Sequence, residues 1–247
     1  MKKSDGWMSM WDGGQEVWLE GSMFAYFFLL EAERNGFPMD SAWKASIQQN
    51  LKQFLGETSR PVADRVMGTF LLSYLNPSTA FAYSKLIAPK DCDGFNRFLL
   101  AMTLVKCGHA AEGMQTLNEL LAGDFLKDDK VGAGFDSLLR RQGIALWLLG
   151  EILPEHEQNK QLMQAILMAR NAQGHWGTTQ DNAWAALGLA RYCARQKNGA
   201  FQAKVLTDST EKTMEVIYEK KNAQTGSGCG SRDAPQCDSR NSICRGK

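Results

Sequence analysis

The amino-acid sequence predicts a mostly α-helical fold, a ring of helical hairpins, followed by a short β-hairpin and a polar tail. Three observations predict it. Between residues 18 and 196, apolar side chains recur at helical spacing, and glycine, Asn-Gly or proline interrupts them at short intervals. No alternating apolar–polar run, the mark of a half-buried strand, occurs in that stretch. Its two ends also resemble one another. SDGWMSMWDGGQEVWLEGSMFAYFFLLEAE and NAQGHWGTTQDNAWAALGLARY each place Gly and Trp in a polar loop, then a short polar stretch, then an apolar helix with an aromatic near its end. Internal repetition of this kind marks an array of like units. Loop glycines permit tight reversals, and the tryptophans can cover the helix ends beneath them.

The first helix, 18–34, is apolar nearly all round and stops at Asn35-Gly36, a pair that accepts the left-handed conformation closing helices. Asp40 or Ser41 caps a second helix through Leu55, closed by Gly56. Pro61 and Pro77 open helices over 61–75 and 77–87, because the first helical turn tolerates a missing N–H. Asp91 or Asp93 precedes a helix over 95–106, and the next, 109–121, ends at Gly123. Helices over 135–153, 154–170 and 179–195 complete the set. After Lys197-Asn198-Gly199 the pattern changes: 200–206 and 212–218 alternate about Thr207-Asp208-Ser209, which reads as a β-hairpin. From Asn222 onward almost no apolar side chain occurs, so the tail cannot offset its ordering entropy and is expected to be disordered. The expected divisions are therefore 1–197, 198–221 and 222–247.

With 247 residues, 44% apolar and 22% charged, the composition is that of a globular protein. Net charge is +1 without a dense basic patch, which argues against nucleic acid and anionic membrane as partners. The longest apolar run, Met23–Leu30, is eight residues, against the roughly 20 a spanning helix needs. The opening MKKSDGWMSMWDGG has a positive end but no apolar segment behind it, so no signal peptide is read. Of six cysteines, Cys92, Cys107 and Cys193 fall within helical pattern and are expected to be buried thiols. Cys229, Cys237 and Cys244 are spaced too widely for a zinc knuckle.

No residue set points to catalysis, a cofactor or a metal. His109, His156 and His175 are scattered and lack His-x-x-x-His or His-Glu-x-x-His spacing. Glu31 and Glu33, and Asp128 and Asp129, diverge on a helix and read as solvated charge, while Asp91-Cys92-Asp93 reads as a capping loop. Thr178 with Asp181 three residues on approximates a capping box, and Ala183, Ala186, Leu187 and Ala190 form one face of a closely packed inner helix. Cys193 and Gln196 lie three apart, as in an internal thioester, but Gln196 falls at a wet helix end, where that bond would hydrolyse.

The stretch NAQGHWGTTQDNAWAALGLARY resembles the end of the thioester domain of alpha-2-macroglobulins, through Gly174, Trp176, Thr179, Gln180, Asp181 and Tyr192. In that family a Gly-aromatic pair precedes Ser/Thr-Thr-Gln-Asp/Glu and an Ala/Leu-rich helix ending in Tyr. The opening resembles the bacterial branch through Asp5, Gly6, Trp7, Trp11, Gly13, Trp18 and Tyr26. The likeness runs over roughly residues 4–218. It implies an alpha/alpha toroid within a periplasmic or cell-envelope protease trap. Its partners would be proteases, met through the intact parent protein, and neighbouring β-sandwich domains.

The chain departs from the family in lacking Cys-x-Glu-Gln ahead of the Asp5-Gly6-Trp7 loop. Cys193-Ala194-Arg195-Gln196 stands at the wrong end with arginine where glutamate belongs. Bait segment, most β-sandwiches and receptor-type domain are also missing. The expected reading is a fragment, non-enzymatic, whose ring is incomplete and exposes an apolar edge along Met23–Leu30. Two other classes compete. Terpene cyclases share the toroid but need an Asp-x-Asp-Asp motif, which is absent, and polysaccharide-cleaving toroids need a carboxylate pair or a base in the central cleft, to which the sequence assigns no residue. A helical-repeat scaffold would show a recurring period of about 34 residues, and none recurs.

Overall fold

The computed structural model describes residues 6–12, 14–126, 136–195, 200–207 and 210–217. The chain divides into two compact units, Met1–Gln196 and Lys197–Lys247. The described part of the first is mostly helical: α1 (Leu19–Arg34), α2 (Ser41–Gly56), α3 (Val62–Leu72), α4 (Pro77–Ser84), α5 (Gly94–Lys106), α6 (Ala110–Leu121), α7 (Leu138–Ile152), α8 (Glu157–Met168) and α9 (Thr179–Arg195). A single 3-10 turn, Pro89–Asp91, lies between α4 and α5.

Local chemistry places most of these starts. Asp40 Oδ1 accepts from Trp43 N at 3.0 Å, Asn76 Oδ1 from Thr79 N at 3.1 Å, and Asp93 Oδ1 from Asn96 N at 2.6 Å. Each bond satisfies one donor that a helix start leaves free. Helices α3, α4 and α8 are shorter than expected from the sequence. After α3 the chain tightens, with Tyr74 N donating to the Leu71 carbonyl at 3.2 Å and Leu75 N to that of Leu72 at 3.0 Å, three residues back rather than four.

Odd- and even-numbered helices take different places. Helix α1 packs on α3, α3 on α5, and α7 on α9. Arg141 of α7 lies 5.2 Å over the Phe95 ring of α5, and Phe27 of α1 meets Trp184 of α9 with centroids 4.8 Å apart. The even helices pack on these: α2 on α3, α4 on α3 and α5, α6 on α5, α8 on α7 and α9. Burial agrees, since nine residues of α5 are buried against three of α6. A helix apolar on several faces must be enclosed, and one with a single apolar stripe covers it.

The closest approach is between α7 and α9, at two glycines. A methyl added at Gly143 would stand 2.6 Å from the Trp184 backbone, and one at Gly188 would stand 2.7 Å from the Gly143 carbonyl oxygen. This corrects the expected packing face of α9. Trp184, Ala185 and Gly188 are buried, whereas Ala186 and Ala190 are exposed. The expected apolar edge along Met23–Leu30 is also corrected. Met23, Tyr26, Phe27 and Leu30 are buried, with Phe28 half exposed, because α1 closes on both α3 and α9.

In the second unit, β1 (Ala200–Thr207) pairs antiparallel with β2 (Thr210–Ile217), Phe201 opposite Val216 and Val205 opposite Lys212. Residues 208 and 209, like the tail from Asn222, lie outside the described residues. Among the described residues no helix is long and apolar enough to cross a membrane.

Candidate functional site

Three places gather polar groups within the first unit: the tryptophan loops, a cavity ringed by first helical turns, and a charged cluster at the last turns.

In the opening loop Gly6 has a φ of +88° and is buried. A side chain there is excluded twice over, by the left-handed backbone and by Ser46 Oγ, which would lie 2.3 Å from its Cβ. The Gly6 carbonyl accepts from Tyr26 Oη at 2.9 Å, and that hydroxyl accepts from Asn50 Nδ2 at 3.1 Å. Trp7 packs against Tyr26 and Phe54, with centroids at 5.5 and 6.1 Å. The loop therefore ties α1 to α2. Trp18 precedes α1, its N donating to the Met8 carbonyl at 2.8 Å. Trp11 departs from the expected covering role: it is 75% exposed. Asp5 and Gly13 lie outside the described residues.

In the second loop Trp176 Nε1 donates to the Ile166 carbonyl at 2.7 Å, fastening the loop to α8, and Arg170 Nε donates to the Gly174 carbonyl at 3.0 Å. Thr178 N and Oγ1 both donate to Asp181 Oδ2 at 2.9 Å, and Asp181 N donates to Thr178 Oγ1 at 3.1 Å. That reciprocal pair is a capping box. Asp181 also accepts from Ser137 Oγ, joining the starts of α7 and α9. Burial would raise its carboxyl, but hydrogen bonds from Ser137 and Thr178 and the nearby Arg140 charge hold it below the usual carboxylate range. Thr179 begins α9, Gln180 is partly buried in its first turn, and Tyr192 packs half-buried near its end. These residues share one loop and helix start.

The cavity, of about 190 Å³, is lined by all five odd helices. Phe24, Phe27, Phe70, Leu99, Ile144 and Trp184 form its apolar walls, and Glu20, Asp64 and Arg140 supply charge. Burial, then the like charge of Glu20, pushes the Asp64 carboxyl up. Burial lowers the Arg140 guanidinium. Arg141, also lining it, is bound by Asp136 at 2.9 and 2.5 Å and by Asp93 at 3.1 Å.

The last turns of the same helices meet in a cluster that sequence reasoning missed. Arg34 donates to Glu31 at 2.7 Å and to Glu151 at 2.6 Å. Lys106 Nζ lies 3.9 Å from Glu151 and 4.1 Å over the Tyr74 ring. Arg191 lies 3.9 Å from Glu31 and 3.9 Å over the Trp147 ring. Burial lowers Lys106, the hydrogen bond to Glu151 raises Arg34, and Glu151 is held low by Arg34 and Lys106 against the opposing effect of burial. Cations at helix C-termini also face the negative end of each dipole. Glu31 is thus buried and paired rather than solvated, while Glu33 does reach outward to Lys44 at 2.9 Å. The sequence signal was charge near the ends of α1, α5, α7 and α9.

The histidines serve locally. His109 precedes α6 and stacks on Phe81 at 3.5 Å, and His156 Nδ1 accepts from Gln158 N at 3.2 Å. His175 Nδ1 lies 3.0 Å from Asn171 Nδ2. Asp93, not Asp91, caps α5. Among the described residues no three His, Cys, Asp or Glu side chains gather as a metal site would require. Cys193 is exposed rather than buried, and Cys92 and Cys107 are only partly buried.

The sequence matches no protein-family model and no curated protein. Solved structures do match. The chain is similar to native alpha-2-macroglobulin from Escherichia coli, spanning domain MG7 to the C-terminus, at 16% identity and a TM-score of 0.65 over 88% of this chain and 36% of that one. It is similar to Salmonella alpha-2-macroglobulin reacted with methylamine at 19% identity and 0.65, over 88% and 15%. It is also similar to trypsin-activated Escherichia coli alpha-2-macroglobulin at 18% and 0.60, over 87% and 16%. At these identities the likeness is one of fold. It supports the relationship to bacterial alpha-2-macroglobulin that the tryptophan loops suggest. The chain spans 36% or less of the length of these relatives.

Proposed function

We propose that the chain is a fragment of a bacterial alpha-2-macroglobulin-like protease inhibitor. Its helical unit acts as a non-catalytic alpha/alpha toroid, the counterpart of the thioester domain. The observation that carries this reading is the structural likeness over 88% of the chain, with inner helices α1, α3, α5, α7 and α9 and outer helices between them. Residues 198–221 begin a following β-sandwich, and 222–247 are a tail. The parent protein works in the periplasm or cell envelope, where its partners are proteases. Relatives solved after activation by trypsin and by porcine elastase support that choice. The tryptophan loops hold neighbouring helices in register, and the charged cluster ties the helix ends. Both roles are mechanical.

A toroid enzyme would use Glu20 and Asp64 as its central acids. The walls around them are chiefly aromatic and aliphatic and Glu20 is exposed, which supports the mechanical reading.

The test is incubation of the purified chain with trypsin or elastase, followed by denaturing electrophoresis. No bond stable to denaturation forms on this reading; covalent capture would overturn the non-catalytic role. An antiserum against the chain, applied to cells that make it, detects a product severalfold larger than 27.5 kDa. A product of 27.5 kDa alone would overturn the fragment reading.

A further inference from the structure

The cavity carries charged groups of both signs, and one buried donor among them is left without a partner. Glu20 is exposed and Asp64 half-buried; the two repel one another, while Arg60 favours the charged form of Asp64. Arg140 is largely buried, with 19% of its side chain exposed. Its Nε is buried without a hydrogen-bond partner among the described residues. Its ion pair with Asp136 is long, at 3.5 Å, because Asp136 is bidentate to Arg141. A buried donor left in this condition costs free energy until a ligand or water meets it. Beyond them the walls are aromatic and aliphatic, a lining that favours an apolar body.

We propose that the cavity binds a small zwitterion with an apolar side chain, an aromatic or large aliphatic α-amino acid. Its ammonium lies at Glu20 and Asp64, its carboxylate at Arg140, and its side chain among Phe24, Phe27, Phe70 and Trp184. The volume sets the size. About 190 Å³ exceeds a benzene-sized cavity of about 150 Å³ by little, room for one ring and a short polar head. The charge set fixes the head. A simple amine would leave the buried Arg140 Nε without a partner, and a simple carboxylate would add negative charge to a lining that already holds Glu20, Asp64 and Asp136. An ammonium there relieves the repulsion that, with burial, raises Asp64. Phe24, Phe27 and Trp184 face the same space and favour a cation held near their rings.

The experiment is isothermal titration calorimetry of the full chain with L-phenylalanine, phenethylamine and 3-phenylpropionate. L-phenylalanine binds at least tenfold more tightly than either single-charge analogue. Asp64→Asn weakens L-phenylalanine and phenethylamine but not 3-phenylpropionate. Arg140→Met weakens L-phenylalanine and 3-phenylpropionate but not phenethylamine. This crossed pattern separates recognition from loss of folding. Met67→Trp, which fills the cavity without changing charge, abolishes binding of all three while the helical circular dichroism is retained. Absence of heat at millimolar L-phenylalanine overturns the proposal, as does equal affinity for the three ligands or binding that survives Met67→Trp. The outcome is independent of the protease-trap reading, which needs no small molecule.

Discussion

Replacing Gly143 by alanine drives a methyl group into α9. Its Cβ would stand 2.6 Å from the carbonyl carbon and oxygen of Trp184 and 2.9 Å from that residue's Cβ. Ordinary contact begins at 3.4 Å. The two helices must therefore separate by roughly 0.8 Å at their crossing, in an interior packed without spare room. Overpacking costs about 1–3 kcal/mol, and the upper end applies because the obstacle is backbone that cannot rotate away. Alanine returns about 1 kcal/mol through its better helix propensity. The net loss is about 2 kcal/mol, which for a chain of this length lowers Tm by about 4–8 °C. The assay is thermal unfolding followed by circular dichroism at the helical band. Gly56→Ala is the matched control, since nothing lies within 4 Å of its added Cβ. It leaves Tm unchanged or slightly raised. A Gly143→Ala protein melting at or above the parent would refute the close α7–α9 crossing.

Three further outcomes follow from the same geometry. Tyr26→Phe removes the hydroxyl between the Gly6 carbonyl and Asn50 and lowers unfolding free energy by about 1–3 kcal/mol in urea titration; an unchanged midpoint would discount that tie. Asp64 has its carboxyl raised by burial and by Glu20, so its folded pKa lies above its unfolded one. Its contribution is complete below about pH 3.9 and is lost as pH rises through the folded pKa. Accordingly Asp64→Asn gains Tm relative to the parent between pH 4 and pH 7, and a difference independent of pH would contradict the placement of Asp64. Among the three described cysteines, Cys193 is alkylated by iodoacetamide first, because it is exposed, while burial pushes the Cys92 thiol up to about 11. Peptide mass spectrometry reads the order, and faster labelling of Cys92 would contradict it.

Much of the helical unit was legible because its signals are local. Asp40, Asn76 and Asp93 sit three residues before the amides they cap, so a short window of sequence contains both partners. Thr178 and Asp181 do the same for each other. The loop glycines and Trp7 were equally visible, although the partners that make Gly6 necessary, Ser46 and Asn50, lie some forty residues away. Trp11 carried the same local signal as Trp7 and proved exposed, because composition of a loop does not say which side faces the protein.

What the sequence alone determined is where most helices begin, and that the first is apolar on nearly every face. Those are properties of neighbours along the chain. The tertiary structure decided that α9 approaches α7 through Gly143 and Gly188 rather than through its alanines, and that α1 seals against α9. It also decided that Glu31, Arg34, Lys106, Glu151 and Arg191 converge at one end while Glu20, Asp64 and Arg140 share the cavity at the other. Such groups stand up to about 160 residues apart in sequence. Periodicity reports the face a side chain occupies on its own helix, but the rotation and crossing of helices are set by steric fit among many side chains at once.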